Sequence, residues 1–278
     1  MKGKVCMVTG ANAGIGFETA MALAKLEATV VLVCRDATKG TKALNTIKKE
    51  SNNNSIHLYI ADLSSQKSIR QMTTQFLEKF DRLDVLINNA GIIVPTRQST
   101  VDNLEMQFAV NHMAPFLLCQ QLLNALQASP AARIITVTSN AHTSAALNFN
   151  DLQSEHSYNP KTVYQQTKLC NVLFTYELAK RLENSNIAVN CLHPGVVKTK
   201  LLNEYNGGKG GFLNQLFYSK PAKGAATSVY LASSSEVEGI SGQYFANKKP
   251  IPSSKYSKDA SVASQLWEIS KGLAKETI

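Results

Sequence analysis

The chain of 278 residues holds no run approaching 18 consecutive apolar residues, and Met1-Lys2-Gly3-Lys4 leads straight into the first apolar segment without a signal-peptide core. It therefore reads as soluble and intracellular, in the cytoplasm or at a membrane surface, although a longer chain with an anchor ahead of Met1 would read the same. No C-x-x-C pair occurs, and the five cysteines, Cys6, Cys34, Cys119, Cys170 and Cys191, are odd in number and sit mostly inside apolar segments. That pattern argues against a disulfide framework or a metal site and points to reduced core thiols. The formal net charge is +9, yet the lysines are dispersed and no basic run is interleaved with aromatics. Nucleic-acid binding is set aside on that ground, since a basic rim is enough to steer a small anion. No linker or internal repeat divides the sequence, and 44% hydrophobic content can bury a substantial core, so residues 1–278 read as one domain. Asn53-Asn54-Ser55 fits a glycosylation acceptor but reads more simply as a polar turn.

What the chain does have is a stretch from Lys4 to Leu26 patterned as strand, glycine turn and helix. Val5, Met7 and Val8 form a short apolar run with Cys6, the turn Thr9-Gly10-Ala11-Asn12-Ala13-Gly14-Ile15-Gly16 follows, and Thr19, Ala20, Leu23 and Ala24 recur at helical spacing. Glycines at the mouth of a helix let backbone N–H groups approach a ligand, and the helix start favours a phosphate by hydrogen bonding and by its dipole. The spacing G-x-x-x-G-x-G differs from G-x-G-x-x-G, and no Gly-Lys-Ser/Thr follows, which excludes a P-loop.

Downstream, apolar strands alternate with amphipathic helices. Strands are expected at 29–34, 56–61, 84–87, 133–139 and 187–192, and helices at about 38–50, 65–80, 104–126 (bent near Pro115) and 161–183. Residues 140–158 read as a loop, and a final helix around 223–232 precedes a last strand at Gln243-Tyr244-Phe245. The expectation is an α/β fold: a doubly wound parallel sheet, Rossmann-like, of about seven strands with helices on both faces and a ligand at the carboxyl ends of the strands.

Three features converge on that edge. Ser139 ends a central strand, and Tyr164 and Lys168 lie four apart on the long helix after it. At i and i+4 the two side chains share a helix face, so the ammonium can sit near the phenol and favour the phenolate. A tyrosine so placed can give or take a proton at a carbonyl or alcohol. Alone, a Tyr-x-x-x-Lys pair is an ordinary exposed helix pair, Ser139 an ordinary strand end, and Asn111 an interior amide; it is their arrival after a phosphate-binding turn that distinguishes them.

Taken in order, Thr9-Gly10-x-x-x-Gly14-Ile15-Gly16, Asn88-Asn89-Ala90-Gly91, Asn111, Ser139, Tyr164-x-x-x-Lys168 and Pro194-Gly195 resemble the motifs of the short-chain dehydrogenase/reductase family, over nearly all of residues 4–270. Val33-Cys34-Arg35-Asp36, the long separation of Ser139 from Tyr164, Leu173-Phe174-Thr175-x-Glu177-Leu178-Ala179 and His193-Pro194-Gly195 are similar to its retinol dehydrogenase-like branch. The resemblance implies a general acid/base role for Tyr164. It implies that Lys168 lowers the tyrosine's pKa and holds the nicotinamide ribose, that Ser139 polarises the substrate oxygen, and that Asn111 holds a water in the proton path. It further implies that Gly10, Asn12, Gly14, Ile15 and Gly16 line the pyrophosphate and that Asp62 and Leu63 bracket the adenine. Asn88, Ala90 and Gly91 would border the adenosine ribose and nicotinamide side, and Pro194, Gly195, Val197 and Thr199 would contact the nicotinamide.

At the end of the second strand an acidic residue would bind the ribose of NAD, whereas here Arg35 can contact a 2′-phosphate. This favours NADP over NAD, with Asp36 one residue further on and the uncharged Ala13 weighing the other way. Gly207, Gly208, Gly210 and Gly211, beside Phe212, Leu213, Leu216, Phe217 and Tyr218, read as a substrate lid around 199–222 with an apolar wall, and Lys209, Lys220 and Lys223 could touch an anionic membrane surface. The expected function is an NADP(H)-dependent oxidoreductase acting on an apolar aldehyde, ketone or alcohol. The alternative is a cofactor-binding regulator or scaffold without turnover. Relatives in this family often form dimers or tetramers through the two long helices flanking the sheet, so a homo-oligomer is also expected.

Overall fold

A computed structural model describes residues 1–197 and 219–274. The strands are β1 (Val5–Thr9), β2 (Thr29–Cys34), β3 (Ile56–Ile60), β4 (Val85–Asn88), β5 (Ala132–Val137), β6 (Ile187–His193), β7 (Gln243–Ala246) and β8 (Lys249–Pro250). They form one sheet in the order β3-β2-β1-β4-β5-β6-β7-β8, all parallel except the two-residue β8, which pairs antiparallel with β7. The doubly wound expectation holds, with the short β8 added at the edge. The strand order reverses between β1 and β4, so a crevice opens at the carboxyl ends of those two strands.

Alternation along each strand builds two cores. Met7, Val31, Val33, Leu86 and Ile134 face one side, with α3 (Gln66–Leu77), α5 (Ala114–Gln121), α7 (Pro160–Arg181) and α9 (Ala260–Leu273). Cys6, Val8, Val30, Leu32, Ile87 and Ile135 face the other, with α1 (Gly14–Lys25), α2 (Ala37–Ser51) and α8 (Pro221–Ser233). All five cysteines are free and buried, and burial pushes the thiols of Cys6, Cys119 and Cys191 up to about 12, which keeps them inert. The Asn53 amide donates to the Ala24 and Ala28 carbonyls while its oxygen accepts from Ser55 N, so the candidate acceptor is a structural turn. Among the described residues no helix is long and apolar enough to cross a membrane.

Two sequence expectations need correction. The helix expected over 104–126 is broken into α4 (Met106–Phe108), a π-helical turn (Ala109–Met113), α5, and α6 (Leu123–Gln127). The first break falls at Asn111 because Pro115 has no N–H for the carbonyl four residues back; the Asn171 amide of α7 donates to Asn111 O instead, at 2.8 Å. The second correction is that the helix at 221–233 is not the last: α9 follows, capped by the Asp259 carboxylate, which accepts from Ser261 N and Val262 N.

Helix α9 lies across the long helices. Its Trp267 ring sits 5.0 Å from Phe116 of α5 and 6.0 Å from Phe174 of α7, with the Arg181 guanidinium 4.3 Å over the indole. Along α7 only Lys161, Thr162, Lys180 and Arg181 are exposed. The exposed positions of α7 are thus confined to its two ends. Phe116 is fully buried in this ring cluster, so Phe116→Ala should cost about 3–5 kcal/mol, read as a lowered urea midpoint with unchanged slope.

Candidate active site

The turn between β1 and α1 is set by close approach. Gly10 and Gly14 have φ of +65° and +58°, and a Cβ on Gly16 would stand 2.4 Å from both the Gly10 carbonyl oxygen and Asn89 Nδ2. Only glycine fits these positions. Asn89 Nδ2 donates to the Thr9 carbonyl at 2.8 Å, and Thr9 Oγ1 accepts from the N–H groups of Asn89 and Ala90, both at 3.0 Å. These bonds fasten the ends of β1 and β4 to each other across the crevice. Helix α1 starts at Gly14, after Ala13, without a side-chain cap and without an acid in its first turn, whereas Asp36, Ser65, Asn159 and Asp259 cap α2, α3, α7 and α9. An uncapped helix start behind a glycine cradle fits a phosphate group.

The other expected cofactor contacts spread along the same edge. Asn12, Ile15, Asp62, Leu63, Ala90, Gly91, Pro194 and Gly195 are all partly exposed there. The Asp62 carboxylate accepts from the N–H and hydroxyl of Ser64, so it is engaged in the turn leading to α3. Arg35 is exposed at the end of β2. Asp36 accepts from Lys39 N at 2.9 Å and pairs with the Lys39 ammonium at 3.3 Å, contacts that hold its carboxyl below the usual range. Val197 is buried and bridged to Ser219. Asn88 is placed differently: its side chain is buried, donates to Cys119 Sγ at 3.7 Å and leaves Oδ1 unpartnered, so it faces the core while Asn89 faces the turn. Thr199, with nearly all of the expected lid including Lys209 and Phe212 to Tyr218, lies outside the described residues; Lys220 and Lys223 are exposed at the start of α8.

The end of β5 is stapled to α7. Lys168 Nζ donates to the Val137 carbonyl at 3.1 Å, and Thr138 Oγ1 donates to the Lys168 carbonyl at 2.9 Å. Tyr164 is 6% and Lys168 3% exposed, and the ammonium lies 5.5 Å from the centre of the tyrosine ring. Burial pulls the lysine down from 10.5 to about 8. Ser139 is partly exposed, its Oγ accepting from Ala141 N at 3.2 Å as the cap of a short 3-10 turn, Asn140–Ser144.

Asn111 reaches this group from the π-helical turn. Its Oδ1 accepts from Ile92 N at 2.8 Å, and its Nδ2 donates to the Ile92 carbonyl at 2.9 Å and to Thr167 Oγ1 at 3.0 Å. Thr167 in turn donates to the Tyr164 carbonyl at 2.8 Å. One side chain thus locks the segment after Gly91 to the helix of Tyr164 and Lys168. Ser139, Tyr164, Lys168 and Asn111 are therefore brought together. Thr9, Asn89, Thr138, Thr167 and Asn171 are positioning residues to which the sequence analysis gave no role; of these, Thr9 and Asn89 stood within its motifs.

A Rossmann-like sheet with a glycine cradle at its switch point and a buried tyrosine–lysine pair beside it defines the scaffold of a dinucleotide-dependent oxidoreductase. Residues 4–210 match the family described as short chain dehydrogenase, and the chain belongs to that family. Retinol dehydrogenase 14 of Homo sapiens is 41% identical over 98% of this chain and 86% of its own length, and Retinol dehydrogenase 13 of Homo sapiens is 40% identical over 95% and 82%. The crystal structure of an uncharacterized protein from Mycobacterium paratuberculosis superposes with a TM-score of 0.80 at 31% identity, over 98% of this chain and 94% of that one.

Because Asn111 satisfies both backbone groups of Ile92, Asn111→Ala should leave buried polar groups unpaired, at about 1–3 kcal/mol for each group stranded. The expected result is a lowered melting temperature together with faster amide exchange at Ile92; unchanged exchange there would contradict the clamp.

Proposed function

We propose that the protein is an NADP(H)-dependent oxidoreductase interconverting an apolar aldehyde or ketone and its alcohol, with Tyr164 giving and taking the proton. One observation carries the reading. The buried Lys168 ammonium, beside the Tyr164 ring, makes its one hydrogen bond within the described residues to the Val137 carbonyl. An ammonium has three donors, so two remain for the hydroxyls of a ribose. A bound nicotinamide supplies or accepts the hydride.

The chain's own residues would do the rest. Lys168 holds the ribose and favours the Tyr164 phenolate, Tyr164 passes the proton at the substrate oxygen, Ser139 polarises that oxygen, and Asn111 keeps a water in the proton path towards Lys168. Gly10, Asn12, Gly14, Ile15 and Gly16 would cradle the pyrophosphate, Ala90 and Gly91 would border the ribose, and Pro194, Gly195, Val197 and Thr199 would meet the nicotinamide.

The choice of NADP is supported by the end of β2. Asp36 is committed to capping α2 and to Lys39, which leaves the exposed Arg35 as the charge available to a 2′-phosphate. The names of the related retinol dehydrogenases support an apolar, retinoid-type alcohol or aldehyde as substrate. With NADPH as the usual cellular form of the cofactor, reduction is the expected direction.

The test is NADPH oxidation with a panel of apolar aldehydes and ketones, NADH run alongside. Tyr164→Phe should lower kcat by about 10²–10⁴-fold with cofactor Kd unchanged; retained turnover would refute the assignment of the acid. Lys168→Ala should lower both turnover and cofactor affinity. Arg35→Ala should weaken NADPH by about 10- to 100-fold while sparing NADH, the size of one charge-assisted bond. Saturable cofactor binding with no turnover across the panel would favour the scaffold instead.

A further inference from the structure

His142 stands three residues past Ser139 in the short turn Asn140–Ser144 and is fully buried. Its two ring nitrogens are engaged on different segments. Nε2 accepts from the Ser254 backbone N–H at 3.2 Å, and Nδ1 lies 2.7 Å from the Ser139 carbonyl oxygen. A backbone N–H can only donate and a carbonyl can only accept, so the ring is neutral and its proton is on Nδ1. The ring also packs edge-on to Tyr244 of β7, with centroids 4.9 Å apart.

The far side of this contact is itself anchored. Tyr176 of α7 donates to Ser253 Oγ at 2.7 Å, Ser257 Oγ donates to the Ser254 carbonyl at 2.7 Å, and Ser254 Oγ accepts from Ser257 N at 3.2 Å. A second tie runs from Leu147 N to the Tyr256 hydroxyl at 3.3 Å. The chain from 253 to 257 lies beyond residues 4–210, where the family match ends, yet it is fastened to the loop that begins at Ser139.

We propose that His142 is a positioning residue which, as the neutral Nδ1–H tautomer, clamps the Ser139 carbonyl to the segment after β8 and so holds the Ser139 turn at the reaction edge. The role of Ser139 rests on the oxidoreductase reading; the clamp does not. A second proton on the ring would sit on Nε2 and face the Ser254 N–H, donor against donor, and the clamp would open. Burial holds the His142 pKa below its ordinary value of 6.5, partly opposed by the Ser139 carbonyl.

Among the groups on the surrounding elements, His193 of β6 is pulled down to about 4 by burial and by His142, and Cys191 and Tyr176 are pushed up to about 12 by burial, as is Tyr244 upward, so all four are neutral at pH 7. On α7, Lys168 supplies a cation and Glu177 is paired with Arg181, while Lys255 and Lys258 are exposed. An imidazole whose folded pKa is lowered binds its proton more weakly folded than unfolded. The clamp's contribution is therefore complete above the unfolded value of 6.5 and is lost as pH falls towards the lower folded value.

The test joins a spectroscopic readout to a kinetic one. In protein carrying ¹⁵N-histidine, the long-range ¹H–¹⁵N spectrum at pH 7.5 should show the His142 ring protonated at Nδ1 only, its signals identified by their loss in His142→Asn. The Ser254 amide should be protected from exchange, and protection should fall on acidification below pH 6.5 and in His142→Phe. With the best carbonyl substrate, His142→Phe should lower kcat by about 10- to 100-fold with the NADPH Kd unchanged. His142→Asn, whose amide can still donate to the Ser139 carbonyl, should recover part of that loss. A proton on Nε2, an unprotected Ser254 amide, or full kcat in a folded His142→Phe would each overturn the proposal. Wild-type protein without turnover would instead count against the oxidoreductase reading, with tautomer and amide protection still deciding the clamp.

Discussion

Lys168 brings an ammonium into a place that is 3% exposed, where, among the described residues, one hydrogen bond meets it, to Val137 O at 3.1 Å. Taking such a charge out of water costs several kcal/mol, and the cost appears here as a pKa drawn down to about 8. The surrounding structure offsets it by fastening the helix that carries the charge. Thr138 holds the Lys168 carbonyl, Thr167 holds the Tyr164 carbonyl, Asn111 bonds to Thr167, and Asn171 bonds back to the Asn111 carbonyl. Each bond contributes only about 1 kcal/mol, but together they prevent α7 from turning its lysine out to solvent. This buried cation is thus held where oxygen acceptors from a ligand would restore what burial removed.

The fold was legible because its signals are periodic. Most of the buried parallel strands are apolar runs that end near a polar residue or glycine, so β1 to β6 could be placed from those runs and β7 from Tyr244 and Phe245. The helix of Tyr164 and Lys168 was legible for its length rather than its amphipathicity, since it is buried on nearly every side. The break at Asn111 was legible only as a bend near Pro115, because a proline announces that a donor is missing and no more. Which residue replaces that donor is a tertiary fact, here the Asn171 amide from a helix 60 positions away in sequence. Helix α9 did carry readable signals, an Asp259 cap followed by Val262, Ala263, Leu266 and Trp267 at helical spacing. The opposite facing of Asn88 and Asn89 lay beyond a motif, because adjacent residues at a strand end differ in the face they take.

The same tertiary logic ties the reaction edge to the end of the chain. Besides His142, the buried His112 lies next to Asn111 in the π-helical turn, and its Nε2 is 2.9 Å from Ser270 Oγ of α9. His112 Nδ1 and Asn171 Oδ1 are both without a formed bond, and Asn171 is the side chain that favours the protonated ring, against a burial that draws its pKa to about 4. Ser139 and Asn111 therefore each have a histidine neighbour whose ring reaches past the sheet, one to Ser254 and one to Ser270.

This arrangement explains why α9 covers the faces it does. A helix laid over Phe116 and Phe174 brings Ser270 to His112 and encloses the ring cluster that backs the π-helical turn. The surface that two long helices would offer to a second copy is in large part used up inside the chain, since α5 exposes only Gln120 and α7 only its ends. Removing α9 would then do two things at once: expose large apolar rings, and release the tether on the turn that carries Asn111. The hold on the turn that carries Asn111 and the covering of these two helices both come from the packing of α9.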